Sequence, residues 1–139
     1  MRYDGRISPN NPEEDQVPRV VAVIGASTDR SKYGNKAVRA FVNHGDQVVP
    51  INPSEPEVEG LKAYRSVLDV PGQIDMATFY VPPKVGETLI EEVAKKRIPE
   101  VWLNPGADSD SLADRARALN IQAVRACSIV GIGDSPSRY

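Results

Sequence analysis

Cysteine, histidine and tryptophan each occur once in this chain, and aromatic residues make up only 6% of it. A single thiol, Cys127, excludes an intramolecular disulfide framework, and one cysteine with one histidine, His44, cannot assemble a metal site at the usual ligand spacing. The expected setting is reducing and cytoplasmic. An excess of charge of one sign is also missing: 17 Lys and Arg against 19 Asp and Glu leave a net charge of −2. Without a global basic field, neither nucleic acid nor an anionic membrane is favoured as a partner. No apolar run approaches the roughly 20 residues that cross a bilayer. The opening MRYDGRISPNNPEEDQ has neither the apolar core of a signal peptide nor a transit-peptide bias.

What is there suffices for one compact domain: 139 residues with 40% hydrophobic content can bury a real core. Residues 1–17 are polar, carry two prolines and the acidic cluster Glu13, Glu14 and Asp15, and are expected to form a flexible N-terminal arm. The stretch 133–139, GDSPSRY, is expected to be a flexible C-terminal tail, which leaves 18–132 as the folded domain.

Within that domain short apolar runs at Val20 to Ile24, Gln47 to Ile51, Asp75 to Val81, Glu100 to Leu103 and Ile121 to Val124 read as strands. The first is almost wholly apolar, as a strand covered on both faces should be. The segments between them have helical spacing. Ala37, Val38, Phe41 and Val42 share a stripe closed by Gly45. Pro82 and Pro83 suit the first turn of a helix that buries Val85, Leu89, Ile90, Val93 and Ala94 and places Lys95, Lys96 and Arg97 at its negative end. Ser109 can cap a third helix with Leu112, Ala113, Ala116 and Leu119 inward, and Ser66 to Val70 suit one short turn. Alternating strands and helices predict an α/β, Rossmann-like doubly wound parallel sheet of about five strands, with helices on both faces in three layers.

In such a sheet ligands bind beyond the carboxyl ends of the strands. The loop from Gly25 to Gly34, the turn INPSEP, the stretch YVPP and the stretch LNPGADS should converge there. Gly25 lets the backbone turn tightly, Gly34 lets the helix start come close, and the helix's first N–H groups attract an anion. Arg30, Lys32 and Lys36 add cations, and Ser27, Thr28 and Ser31 add hydroxyls. The pattern departs from the dinucleotide fingerprint GxGxxG: after Gly25 the next glycine is nine positions on, and Ile51, Asn52 and Pro53 stand where a ribose-binding acid would.

The stretch from VIGASTDRSKYG through VWLNPGADS to RACSIV resembles the CoA-binding domain family, which is related to the CoA-binding domain of the succinyl-CoA synthetase alpha subunit. The resemblance covers roughly residues 18 to 130; its most specific parts are Ser31-Lys32-Tyr33-Gly34 with Lys36, the pair Asn52-Pro53, and Val81-Pro82-Pro83. It implies that coenzyme A, or an acyl-CoA, lies along the carboxyl edge. A pyrophosphate and a separate 3′-phosphate suit a long loop with several cations. Gly25, Ala26 and Ser27 are then expected to supply backbone and hydroxyl contacts, Arg30, Lys32 and Lys36 charge, and Asn52 and Pro53 a border for the adenosine. Val81, Pro82 and Pro83, with Asn104, Pro105 and Gly106, would line the pantetheine path.

Relatives often carry an acidic-Arg-Cys stretch near the end, whereas here Arg125-Ala126-Cys127 runs into Ser128-Ile129-Val130-Gly131. The synthetase subunit also has a second domain with a phosphorylated histidine, which has no counterpart here. The remaining candidates for chemistry have plainer explanations. His44 suits the negative end of its helix, Asp108 and Asp110 suit a helix start, and Cys127 and Trp102 suit packing. Cys127 could otherwise meet the CoA thiol. The expectation is a CoA-binding module without a catalytic constellation, a sensor or carrier, with a protein partner or a homo-oligomer as possible company. The alternatives are an NAD(P)-dependent oxidoreductase module and an interaction protein that has lost its ligand.

Overall fold

The structure, a computed structural model, describes residues 17–139. The expected arm over 1–17 therefore lies outside the described residues apart from Val17, which is exposed. Five strands form the main sheet: β1 (Val20–Ile24), β2 (Gln47–Ile51), β5 (Met76–Phe79), β6 (Glu100–Leu103) and β7 (Gln122–Val124). They lie in the order β2-β1-β5-β6-β7, and every pairing is parallel. The helices are α1 (Tyr33–His44), α2 (Pro83–Lys95), α3 (Asp110–Ala118) and the single turn α4 (Ser128–Gly131). Between β2 and β5 an antiparallel ribbon, β3 (Glu57–Val58) with β4 (Leu61–Lys62), precedes a 3-10 turn at Val67–Asp69.

Alternation along β1 sorts the core into two layers. Val21 and Val23 pack with Ala37, Val38 and Phe41 of α1 and with Ile129 of α4. Ala22 and Ile24 face the other way, onto Ile90 and Val93 of α2 and Leu112, Ala113 and Ala116 of α3. The result is the expected three-layer α/β, Rossmann-like sandwich. Burial of both faces is why β1 reads as a continuous apolar run.

Local chemistry sets the element ends. Gly45 adopts φ 103° and donates back to Phe41 O and Val42 O, closing α1. Ser109 caps α3 by accepting from Leu112 N at 3.0 Å, and Ser66 caps the 3-10 turn by accepting from Leu68 N.

Several expectations are trimmed. Ile121 N donates to Ala116 O, so Ile121 belongs to the exit of α3 and β7 starts one residue later. Asp75, whose carboxylate accepts from Val20 N at 2.7 Å, stands just before β5, and the strand ends at Phe79. Val42 and Val85, expected inward, are 49% and 45% exposed. Each lies one residue, and so about 100° of helix, from the buried Phe41 or Gly86. The ribbon β3-β4 was not anticipated; it turns through Glu59 and Gly60, both at positive φ. The expected loose tail instead carries a 3-10 turn at Pro136–Arg138. Tyr139 packs against the α1 layer and donates its hydroxyl to Asp134 at 2.6 Å.

Candidate functional site

The chain steps from β1 out to β2 and then returns to β5 on the other side of β1, so the strand order reverses between β1 and β5. A crevice at the carboxyl ends is expected at that point. Gly25 and Tyr80 follow the two strands, and Tyr80 N donates to Ile24 O at 2.8 Å. Here a 550 Å³ cavity opens, lined by Gly25, Ser31, Lys32, Tyr33 and Gly34 on one side and by Tyr80, Val81, Pro82, Pro105, Gly106 and Ala107 on the other. A second cavity of 250 Å³ adjoins it and shares Tyr33, Tyr80 and Pro105 as walls, with Asn104, Cys127 and Pro136 behind.

Two glycines let the loop and helix meet. A Cβ on Gly34 would stand 2.1 Å from Gly25 O, and one on Gly25, itself at φ 92°, would stand 2.6 Å from Tyr80 O. Helix α1 therefore begins directly against the end of β1. Its cap residue, Lys32, makes no side-chain capping bond, and the first turn contains no acid. The positive end of the α1 dipole thus opens on the crevice without a built-in anion. Helix α2 likewise starts on a proline cap without a capping side chain, whereas α3, with Ser109 and Asp110, is capped from within.

Around this opening the loop is tied to the frame. The N–H groups of Gly25 and Ala26 both donate to Ile51 O, at 3.1 and 3.2 Å. The Asn52 amide donates to Ala26 O at 2.8 Å, and its oxygen accepts from Ser54 N and Glu55 N. Asn35, fully buried, donates to Ser27 O and to Glu59 Oε2 and accepts from Arg39 Nε. At the loop tip Asp29 accepts from the hydroxyl and the N–H of Ser31, and those bonds hold its carboxyl below the usual aspartate range.

Of the residues singled out from sequence, Gly25, Ser31, Lys32, Tyr33, Gly34, Val81, Pro82, Pro105 and Gly106 line the first cavity, and Asn104 and Cys127 line the second. The others stand elsewhere. Ala26 is buried, and Asn52 is a clamp on the loop; neither it nor Pro53 lines either cavity. Arg30 pairs with Glu59 at 3.4 Å beside a separate groove that includes Tyr139. Lys36 sits over the Tyr33 ring, 5.3 Å from its centroid, one turn into α1. Ser27 accepts from Asp29 N, and Pro83 is the first residue of α2. His44, the last residue of α1 and so at its opposite end, pairs with Asp46 at 2.9 Å.

Sequence reasoning passed over Tyr80. The available signal was an aromatic hydroxyl placed directly after a strand whose four residues are all buried. In the structure Tyr80 Oη lies 3.1 Å from Ser128 Oγ, which lies 2.7 Å from Thr78 Oγ1. Burial pushes the Tyr80 hydroxyl up to about 12, against the lowering effect of its bond to Ser128 and of the neighbouring Thr78 hydroxyl.

Against known proteins, the profile of the CoA binding domain matches residues 19–133. The chain belongs to this family of CoA-binding domains. The alpha subunit of acetate–CoA ligase (ADP-forming) II from Pyrococcus furiosus is 47% identical over 76 residues, 53% of this chain and 17% of that subunit. The 4-hydroxybutyrate–CoA ligase (ADP-forming) of Nitrosopumilus maritimus is 39% identical over 118 residues, 77% of this CoA-binding domain and again 17% of the ligase. The chain thus spans less than a fifth of the length of these ligases. Among solved structures, a conserved hypothetical protein from Pyrococcus furiosus superposes with a TM-score of 0.76 at 33% identity, covering 83% of this chain and 99% of the other. The dinucleotide-forming acetyl-coenzyme A synthetase 1 of Candidatus Korarchaeum cryptofilum shares the fold at a TM-score of 0.67 and 30% identity, over 80% of this chain and 26% of its own. No helix among the described residues is long and apolar enough to cross a membrane.

Proposed function

We propose that this CoA-binding domain holds coenzyme A, or an acyl-CoA, in the crevice between β1 and β5, and that it does so as a binding module without transforming the ligand. The observation that carries the reading is the start of α1, an uncapped, acid-free helix end pressed against Gly25 with Lys32 beside it. That arrangement supplies aligned N–H donors, partial positive charge and a cation to a phosphate. Tyr33 forms the rim, and Val81, Pro82, Pro105 and Gly106 give the pantetheine arm a mostly apolar path toward the second cavity. The Lys36 ammonium, 5.3 Å from the centroid of the Tyr33 ring at the rim, supports a role for it in adding charge at the outer end of the phosphate run. Arg30, paired with Glu59 at a different groove, has no part in this reading.

Thermal unfolding with CoA, dephospho-CoA, NAD and NADP in parallel tests it. A ligand at 100 times its Kd stabilises by about 2.7 kcal/mol, which for a domain of this size raises Tm by roughly ten degrees. The expected result is a shift with CoA and none with NAD or NADP, reduced by Lys32→Ala combined with Lys36→Ala. A shift with NAD or NADP alone would favour an oxidoreductase module, and no shift with any of the four would overturn the reading.

A further inference from the structure

The second cavity ends on a chain of buried polar groups whose hydrogens can be assigned one by one. The Asn104 amide is fixed first: its nitrogen donates to Phe79 O at 2.8 Å, which can only accept, and its oxygen accepts from Ser128 N at 2.8 Å, which can only donate. The other hydrogen of that nitrogen goes to Thr78 Oγ1 at 2.7 Å. Beyond it stand the hydroxyls of Thr78, Ser128 and Tyr80, joined by two oxygen–oxygen contacts of 2.7 and 3.1 Å. Three hydroxyl hydrogens share two contacts, so one hydrogen points out of the chain.

Which one follows from burial. Thr78 is 0% exposed and Ser128 1% exposed. A hydrogen left over on either would be unsatisfied in the core, a cost that native interiors avoid. Running the chain from Thr78 to Ser128 to Tyr80 satisfies both and leaves the hydrogen of Tyr80 free. Of the three residues Tyr80 alone lines the cavity. The hydroxyl is protonated through the neutral range, as any tyrosine's is, and burial raises its pKa further, from 10.0 to about 12.

We propose that Tyr80 donates this hydrogen to the carbonyl oxygen of a thioester, so that the site selects acyl-CoA over carbonyl-free forms of CoA. The inference rests on the CoA-binding reading above. The cavity volume of 250 Å³ corresponds to about eight waters in the liquid, room for the end of the pantetheine arm and a short acyl group. A thiol offers only a weakly accepting sulfur, whereas a carbonyl oxygen is a full acceptor.

The test compares dissociation constants of acetyl-CoA and S-ethyl-CoA, a thioether of nearly the same shape that lacks the carbonyl, for the wild type and for Tyr80→Phe. Wild type should bind acetyl-CoA about tenfold more tightly than S-ethyl-CoA, and in Tyr80→Phe the ratio of the two dissociation constants should fall to near one. Equal binding of the two ligands by the wild type, or a preference that survives in the variant, would overturn the inference and leave CoA binding standing. Failure of both ligands to bind the wild type would overturn the CoA reading itself, and this inference with it. Should the variant not fold, the infrared band of the thioester carbonyl in wild-type complexes decides: a shift to lower frequency on binding is expected, and an unshifted band refutes the donor.

Discussion

Tyr80 joins a strand, a cavity and a buried polar chain in one side chain, and its ionisation ties the three to folding. In the unfolded chain its hydroxyl titrates near 10.0, and in the fold near 12, because burial penalises the phenolate. A folded pKa above the unfolded one contributes stability that is fully present below pH 10 and is lost as pH rises from about 10 to 12. The loss should be on the order of 2 kcal/mol, read as the fall in unfolding free energy across that window in urea titrations. Tyr80→Phe has nothing to ionise there and should show a shallower fall. Equal slopes for the two proteins would mean that water reaches the hydroxyl in the fold. Legibility at this scale was uneven. Gly25, Gly34 and Lys32 could be read from the sequence because their chemistry is local: a turn, a close approach, a charge beside a helix start. The partner of Tyr80, Ser128, lies 48 residues away in the chain, and no spacing rule connects the two. Asn52 shows the converse. An amide after a strand looks like a ligand contact, and the structure adds what no spacing foretells: its bonds to Ala26 O, Ser54 N and Glu55 N tie it to the loop.

At the scale of elements, what mattered most was which neighbours a helix is allowed to approach. Gly34 brings α1 against the backbone of Gly25, and Gly86 brings α2 against the side chains of Leu112 and Phe79. The two should respond differently to the same substitution. In Gly34→Ala the new methyl meets a carbonyl oxygen at 2.1 Å, which cannot move without opening the loop. A loss of about 1–3 kcal/mol in stability, together with loss of CoA binding by calorimetry, is expected. In Gly86→Ala the nearest atom is a terminal methyl of Leu112 at 2.8 Å, which can rotate away. That variant should keep its ligand affinity, and if Gly34→Ala keeps it as well, the loop is not the phosphate site. Helices and strands were legible because their periods are strong: the apolar run of β1, the stripe Ala37, Val38 and Phe41, and the Ser109 cap all match. The ribbon β3-β4 and the tail were not. Two-residue strands carry no period, and Tyr139 is held by Asp134 and by packing on the α1 layer that composition does not reveal.

Taken as a whole molecule, the domain gathers the walls of the first cavity from three separate strand ends, and the sheet holds them in register. The parallel pairings run from β2 to β7, so that the loops after β1, β5 and β6 open on one side. The residues that line the first cavity, from Gly25 to Ala107, all fall within residues 19–133 matched by the family. The loop between Gly25 and Gly34 is anchored by Ile51 O, Asn52, Asn35 and Asp29, none of which depends on a ligand for its bonds. That fixity has a consequence in time. A site that need not rearrange binds in one step, so in rapid mixing the observed rate should rise in proportion to CoA concentration without a plateau. A plateau would reveal a slow internal step, and with it a loop that spends part of its life detached from the frame these bonds define.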